Sequence, residues 1–156
     1  PPSSQQQLPT EPSIPSRNCL TARMPALSRL EVGSEFEFVL KGEFREEVFQ
    51  GSGRILYDRE FVEPVRVSRG EMIPGDAVFM AKLDADGFVP FAFTPLPGNC
   101  GLPAGRGELL KVRFRLLNAP PPSFRIRLLN TPEYLQLRSH SGGRVSFDLA
   151  MEVLSE

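Results

Sequence analysis

Apolar and polar residues alternate along most of the chain beyond residue 30. In EFEFVLK, Phe36, Phe38 and Leu40 occupy every second position, with charged or polar residues at most of the positions between. The same period of two recurs in VFQGSGRILYD, AVFMAKLD, FVPFAFT, ELLKVRFRLL, SFRIRLL and RVSFDLAMEV. A period of two predicts β-strands that bury one face and expose the other.

About nine strands of this kind fit into residues 18–156, and no stretch has the period of an amphipathic helix. Strands at this spacing, joined by turns rich in Gly and Pro, are typical of sandwiches and barrels. Because the alternation continues to the end of the chain, each sheet is expected to have one solvated face. The pattern therefore predicts an all-β domain, a two-sheet antiparallel β-sandwich with jelly-roll topology.

The stretch FVEPVRVSRG contains a proline inside a strand pattern. Its Phe61, Val65 and Val67 are expected to point inward. Pro64 has no backbone N–H and cannot donate to a ladder. We therefore expect this strand to lie at the edge of a sheet or to contain a bulge.

The segment Asp84-Ala85-Asp86-Gly87 has two interpretations. It looks like part of a calcium-binding loop, but Lys82 stands where an EF-hand needs its first carboxylate. A Gly-ended turn between two alternating runs is also a hairpin signal. We interpret the segment as a hairpin turn.

Residues 1–17 differ in composition from the rest of the chain, since Pro, Ser and Gln dominate them. Such a segment does not bury enough apolar surface to offset its ordering entropy. We predict a disordered linker or tail at 1–17 in front of a folded domain at 18–156. A tether to an anchor or another domain and a simple disordered end both remain open.

Composition argues against several classes of function. The formal net charge of −1 argues against nucleic-acid binding, and no apolar run approaches the roughly 20 residues of a membrane span. Two cysteines and the single His140 do not supply a four-ligand zinc site. The neighbouring carboxylates Glu46-Glu47 and Glu71/Asp76 carry no sign of a shared cleft. We expect no metal, no cofactor and no catalysis.

Cys19 and Cys100 both lie in loop-like contexts, and Cys100 falls in TPLPGNCGLPAGRGE, a long Gly/Pro-rich segment. One interpretation is a disulfide that holds this loop to the start of the domain, worth roughly 4–5 kcal/mol in the chain-entropy model. The alternative is two unrelated thiols. We favour the disulfide, because the N-terminal segment looks extracytoplasmic.

The order of these features resembles that of cohesin domains, which belong to the carbohydrate-binding-module-like β-sandwich superfamily. The matching pieces run from residue 30 to 154. They are Val32-Gly33-Ser34-Glu35-Phe36, Ile55-Leu56-Tyr57-Asp58, the strand from Phe61 to Gly70, the Asp86-Gly87 hairpin, and Gly107-Glu108-Leu109.

The resemblance implies a partner-binding face. Cohesins bind a partner domain, the dockerin, through the outer face of one sheet. Carried over by position, Gln50, Ser52 and Arg54 lie outward on the central recognition strand, where familiar cohesins often have Asn and Asp. Arg125 and Arg127 would join them on the same sheet, whereas the basic row from Lys111 to Arg115 would lie on the other sheet.

These observations predict a non-catalytic protein–protein adhesion or scaffolding module, secreted or at a bacterial cell surface. A dockerin-like domain or another envelope component would be its partner. One alternative is a carbohydrate-binding module, although the chain has no Trp and flat sugar-binding sheets usually rely on exposed aromatic rings. Another is a structural domain of a cell-envelope or secretion assembly.

Overall fold

The computed structural model describes residues 14–154, and residues 1–13, most of the predicted linker, lie outside them. Ten strands and one short 3₁₀ turn, Leu27–Arg29, form the domain. The strands are β1 Cys19–Pro25, β2 Glu35–Phe44, β3 Gln50–Leu56, β4 Val62–Arg69, β5 Val78–Ala81, β6 Phe88–Thr94, β7 Gly105–Leu116, β8 Arg127–Leu128, β9 Gln136–Arg138 and β10 Asp148–Leu154.

The strands form two sheets. The first sheet has the order β10-β1-β2-β7-β4. The second sheet has the order β5-β6-β3-β8, and β9 also pairs with β3. The two-sheet β-sandwich predicted from the alternation is confirmed, and so is the separation of the two basic rows. Lys111 to Arg115 lie on β7 of the first sheet, while Arg127 lies on β8 of the second.

The alternating apolar residues build the core between the sheets. On β2, Phe36, Phe38 and Leu40 are buried. The alternating apolar residues of β7 are buried opposite them, namely Val112, Phe114 and Leu116. Phe114 of β7 stacks on Phe36 at 5.8 Å between ring centroids and meets Tyr57, which follows β3, edge-on at 5.5 Å. Burial of this apolar surface is the main source of stability in such a sandwich.

The two chain ends of the domain pair in a parallel direction, which the alternation did not predict. β10 runs parallel to β1, and all the other strand pairs are antiparallel. The last strand also begins later than expected. Val145 is buried ahead of β10, and its backbone N–H donates to Leu137 O at 2.8 Å.

β4 is an edge strand of the first sheet, and its register against β7 shifts between Pro64 and Arg66. Both expectations for the proline strand are therefore confirmed. Phe61 and Val67 pack against the core as predicted, and Val65 falls within the irregularity. Val62 is also buried, because the extra residue reverses which side chains face the core on the two sides of the shift.

The predicted hairpin turn connects β5 to β6, and Gly87 has φ 86°, a left-handed conformation that favours glycine. The Tyr57-Asp58 corner after β3 packs beside it. The Tyr57 hydroxyl donates to Ala85 O at 3.4 Å, and the Asp58 carboxylate accepts from the Glu60 N–H at 2.9 Å. Burial raises the pKa of the Tyr57 phenol above 10.0.

The predicted disulfide is wrong. Cys19 is buried at the start of β1, between Glu43 of β2 and Asp148 of β10, whereas Cys100 is exposed in the β6–β7 loop, and both thiols are free. Other contacts hold that loop. The Glu47 carboxylate accepts from the Gly101 N–H at 2.9 Å, and Leu102 pairs with Val48.

Candidate docking face

The outer face of the second sheet presents its side chains in cross-strand rows. One row crosses the sheet through Val78, Thr94, Gln50 and Arg138, and the next through Met80, Ala92, Ser52 and Gln136. A third contains Lys82, Pro90 and Arg54, and a fourth joins Phe88, Leu56 and Arg127. We call this surface the docking face.

Two glycines on β3 lie behind these rows, on the inner side of the sheet. Gly51 and Gly53 occupy the core-facing positions of β3, where any other residue would place a side chain. A Cβ at Gly51 would come within 2.6 Å of the Phe93 ring, and one at Gly53 within 2.8 Å of the Phe91 ring. The rings of β6 therefore cover the inner side of β3, and only glycine leaves room for them.

A shallow, open depression of about 220 Å³ lies over the first two rows. Its apolar part consists of Val78, Met80 and Ala92, and the Met80 side chain is 61% exposed. Polar groups border it on the other side, where the Thr94 hydroxyl and the Gln50 amide oxygen lie 3.4 Å apart. An exposed methionine beside a polar rim is adaptable contact surface for another protein.

Arg54 is fixed in place between two aromatic rings. Its guanidinium lies 3.9 Å from the Tyr134 ring centroid and 4.5 Å from that of Phe88. Both distances are within cation–π range. The stack holds the charge at the centre of the docking face without neutralising it, so the outward N–H groups of Arg54 remain suited to a carboxylate.

Positive charges on the docking face have no acidic partners within residues 14–154. Arg54, Lys82, Arg127 and Arg138 form no ion pair there. Arg138 instead donates to the Gln136 amide oxygen at 3.1 and 3.3 Å. The face is therefore a cationic surface around an apolar depression.

The outer face of the first sheet has the opposite chemistry. Arg113 reaches Glu37 at 3.2 Å and Glu35 at 3.5 Å, and Arg115 reaches Glu35 at 2.9 Å and Glu63 at 2.7 Å. The hydrogen bonds that Arg115 donates to Glu63 and Glu35 raise the pKa of Arg115. The ladder across β2, β7 and β4 satisfies its own charges.

The structure brings most of the predicted partner-binding residues together. Gln50, Ser52 and Arg54 all lie outward on β3, and Arg127 lies outward beside them on β8. Arg125 precedes β8 and donates to the backbone oxygens of Pro122 and Phe124. Arg125 is thus held by its own segment at the margin of the face.

Sequence reasoning missed several residues of this surface. The alternation of AVFMAKLD already placed Val78, Met80 and Lys82 on the polar side of their strand, and an exposed Met there was the available signal. Tyr134 and Arg138 gave no such signal. They reach the face only because the short strand β9 adds to β3.

Among residues 14–154, no group of three or more His, Cys, Asp or Glu side chains is arranged to hold a metal ion. Over the same residues, no helix is long and apolar enough to cross a membrane.

Comparison with known proteins gives matches of fold. No protein-family model matches the chain, and no curated protein matches it. A non-cellulosomal cohesin from the archaeon Archaeoglobus fulgidus is similar with a TM-score of 0.63 at 16% identity, over 90% of this chain and 93% of that one.

Two further matches were solved as complexes. The sixth cohesin of scaffoldin B from Acetivibrio cellulolyticus, in complex with a mutant Cel5 dockerin, gives a TM-score of 0.70 at 14% identity, over 90% of this chain and 100% of that one. The OlpC cohesin of Clostridium thermocellum, in complex with Doc435, gives 0.68 at 16% identity, over 93% and 99%. The chain therefore has a cohesin-like β-sandwich fold.

Proposed function

We propose that this chain is a non-catalytic protein-docking module that works outside the cytoplasm and binds its partner on the docking face. The two complexed cohesins of similar fold support a protein partner, since each was solved with a dockerin. The Pro/Ser/Gln-rich composition of residues 1–17 supports a domain carried on a tether.

The contrast in charge between the two outer faces carries this proposal. Arg113 and Arg115 of the first sheet are matched with glutamates, whereas Arg54 and Arg127 of the second sheet form no ion pair within residues 14–154. The cation–π contacts stabilise the fold and also hold the Arg54 side chain in one position. A face that presents Arg to an incoming carboxylate benefits, because the side chain is already ordered.

The cross-strand rows of the docking face indicate which chemical groups a partner should carry. The partner should place an apolar side chain over Met80 and Ala92 and carboxylates near Arg54, Lys82 and Arg127. Apolar contact at the centre would supply affinity, and the charges would raise the association rate and the selectivity. Gln50 and Ser52 would add hydrogen bonds between these two regions.

One observation favours sugar binding as a second candidate. Tyr134 is 41% exposed on the docking face, and sugars stack on exposed aromatic rings. The guanidinium of Arg54 already covers one side of that ring at 3.9 Å. We rank carbohydrate binding below protein binding for this reason, and a structural role without a ligand ranks third.

Face-specific crosslinking tests the proposal. A photoreactive phenylalanine analogue replaces Ser52 in one variant and Arg113 in a matched control, so that the two probes stand on opposite outer faces. After illumination in an envelope or culture extract of the source cells, we expect a crosslinked protein from position 52 and none from position 113. The identified protein, once purified, should bind the unlabelled chain in calorimetry.

Each outcome has a distinct meaning. Crosslinks from both positions, or from position 113 alone, would contradict docking on the second sheet. Retention on insoluble polysaccharide that is lost in Tyr134→Ala would support the sugar candidate instead. If the chain binds neither proteins nor polysaccharides, the structural role is left.

A further inference from the structure

The two sheets end in edge strands, and all but one of these within residues 14–154 carry a feature that blocks pairing with another chain. β4 contains Pro64 and a register shift. β5 has only four residues, β8 two and β9 three. Short strands, prolines and irregularities are the usual protections of a sheet edge.

β10 is the exception. It runs for seven residues, DLAMEVL, without proline or register shift. Its two carboxylates are already matched, since Asp148 pairs with Arg17 at 3.1 Å and Glu152 with Arg23 at 2.9 Å. Charge repulsion therefore does little to keep a second strand away.

The backbone of β10 points alternately toward β1 and toward the open edge. The Asp148 N–H donates to Asn18 O at 3.0 Å, and Leu154 O accepts from the Ala26 N–H at 2.9 Å. Successive residues of a β-strand direct their N–H and C=O groups to opposite sides of the strand. Every second residue of β10, starting from Leu149, therefore directs these groups away from β1. Leu149, Met151 and Val153 therefore direct their N–H and C=O groups to the edge that is unpaired within residues 14–154.

The same three residues turn their side chains to the inner face of the sandwich. They lie beside the buried Leu20, Ala22 and Met24 of β1. Leu149 and Val153 pack against the core, but Met151 remains 36% exposed. Met151 therefore leaves apolar surface exposed to water at the open edge of the sandwich.

We propose that a second copy of this chain pairs with β10 in an antiparallel manner and forms a two-fold dimer with a sheet continuous across both copies. With the axis at Met151, Met151 faces its own counterpart and Leu149 faces Val153. This register uses all three outward backbone groups and forms about six hydrogen bonds. Every pair on the inner side is apolar.

On the outer side of this pairing, Ala150 would face Glu152 and Asp148 would face Leu154, so no two like charges stand directly opposite each other. The two copies of Glu152 would be diagonal neighbours, and each forms an ion pair with Arg23 of its own chain. A closed two-fold contact would use up this edge, so that pairing would stop at the dimer. The N-terminal residues 1–13 are a poorer occupant, since Pro1, Pro2, Pro9 and Pro12 lack N–H donors.

Sedimentation of the full chain tests the dimer. We expect wild-type protein to move from monomer to dimer between about 10 μM and about 1 mM, the range of a modest interface. Met151→Lys places two ammonium groups face to face on the axis and should weaken the dimer at least about tenfold. Val32→Lys is the matched control and should leave the dimer intact. Val32 is 59% exposed and precedes Gly33, which hydrogen-bonds to β7, a strand separated from β10 by β1 and β2.

A mixing experiment then checks the register. Met151→Glu should also be monomeric alone, but an equimolar mixture of the Lys and Glu variants should form a heterodimer, since only the axial pair brings position 151 to itself. Circular dichroism and urea unfolding of each variant confirm that loss of the dimer is not loss of the fold. Met151→Pro, which removes only an edge-facing N–H, is a second disrupting variant.

Three results would overturn the proposal. These are a monomer at every concentration, a dimer indifferent to Met151→Lys, and a mixture that stays monomeric. If wild-type chain is monomeric but residues 14–156 alone dimerise, the N-terminal segment is the occupant of the edge instead of a second copy.

Discussion

Both outer sheet faces carry outward arginines, but these arginines have different neighbours on the two sheets. On the first sheet, Arg113 and Arg115 alternate with glutamates of the neighbouring strands in an ion-pair ladder. On the second sheet, Arg54 and Arg127 face outward beside Met80 and aromatic rings, with no ion pair within residues 14–154. The strand pattern is the same, and only the cross-strand neighbours differ.

This difference shows that an outward arginine on a strand does not by itself indicate a binding role. Exposed ion pairs contribute little to stability, and in this ladder they give Arg113 and Arg115 carboxylate partners within the chain. Unmatched arginines held in place retain their capacity for an external carboxylate. The two faces should therefore respond differently to the same substitutions.

The largest expected effect is on binding. Arg54→Glu should weaken the affinity for the partner found by crosslinking about a hundredfold, close to 3 kcal/mol, because it removes a preordered guanidinium and repels carboxylates. Arg113→Glu on the first sheet is the matched charge reversal and should change affinity by less than about twofold. Calorimetry with purified proteins measures both, and equal losses would abolish the distinction between the faces.

The next effect separates the two sides of β3. Gly53→Val should lower the free energy of unfolding by about 1–3 kcal/mol, because its side chain would overlap the Phe91 ring. The neighbouring Ser52→Val points outward and should change stability by less than about 0.5 kcal/mol. Urea unfolding of both variants provides the test, and similar costs would mean that β3 does not have the stated orientation.

A smaller effect concerns the ion-pair ladder. Arg113→Glu would bring a third carboxylate to Glu35 and Glu37 and should destabilise the fold by about 1 kcal/mol or less. The added change Glu37→Arg reverses the pair and should restore most of the loss. Thermal unfolding at low and high salt follows this, with salt reducing the difference. No recovery in the double variant would argue against the ladder.

The smallest effect is a pH dependence at the corner behind the docking face. The pKa of Tyr57 is raised by burial, so the folded protein favours the neutral phenol. Its contribution to stability is complete below pH 10.0, the ordinary value, and is lost as the pH rises through the higher folded-state value.

Subtracting the alkaline titration of Tyr57→Phe from that of the wild type isolates this group, since Tyr134 is the other tyrosine. The difference in tyrosinate absorbance should have its midpoint above pH 10.0. A midpoint at or below that value would show that the ring is solvated and that the corner is open.

The sandwich was predictable because the alternation of apolar and polar residues in each strand shows which side of that strand is buried. Period-two alternation in EFEFVLK and ELLKVRFRLL marks β2 and β7 directly, and Pro64 marks an edge and an irregularity because it lacks an N–H. The disulfide was not predictable in this way. Proximity of Cys19 and Cys100 depends on where a long loop lies, and hydrogen bonds from neighbouring segments decide that.

The residues of the docking face also fall into a group that was predicted from the sequence and a group that was missed. Alternation placed Gln50, Ser52 and Arg54 outward on one strand, and the resemblance to cohesins placed Arg127 on the same sheet. Tyr134 and Arg138 were missed, because β9 is a three-residue strand whose position depends on its partner β3. So short a run has too few alternating positions to carry a pattern.

By itself, the sequence determined the fold class of this protein, which side of most strands meets the core, and where the turns fall. These follow from a side-chain period that is local to each strand. Only the tertiary structure decided which strands are neighbours. That in turn decided that the arginines of β7 meet glutamates, that Arg54 meets two rings, and that β10 lies at an edge, since cross-strand contacts join residues far apart in the chain.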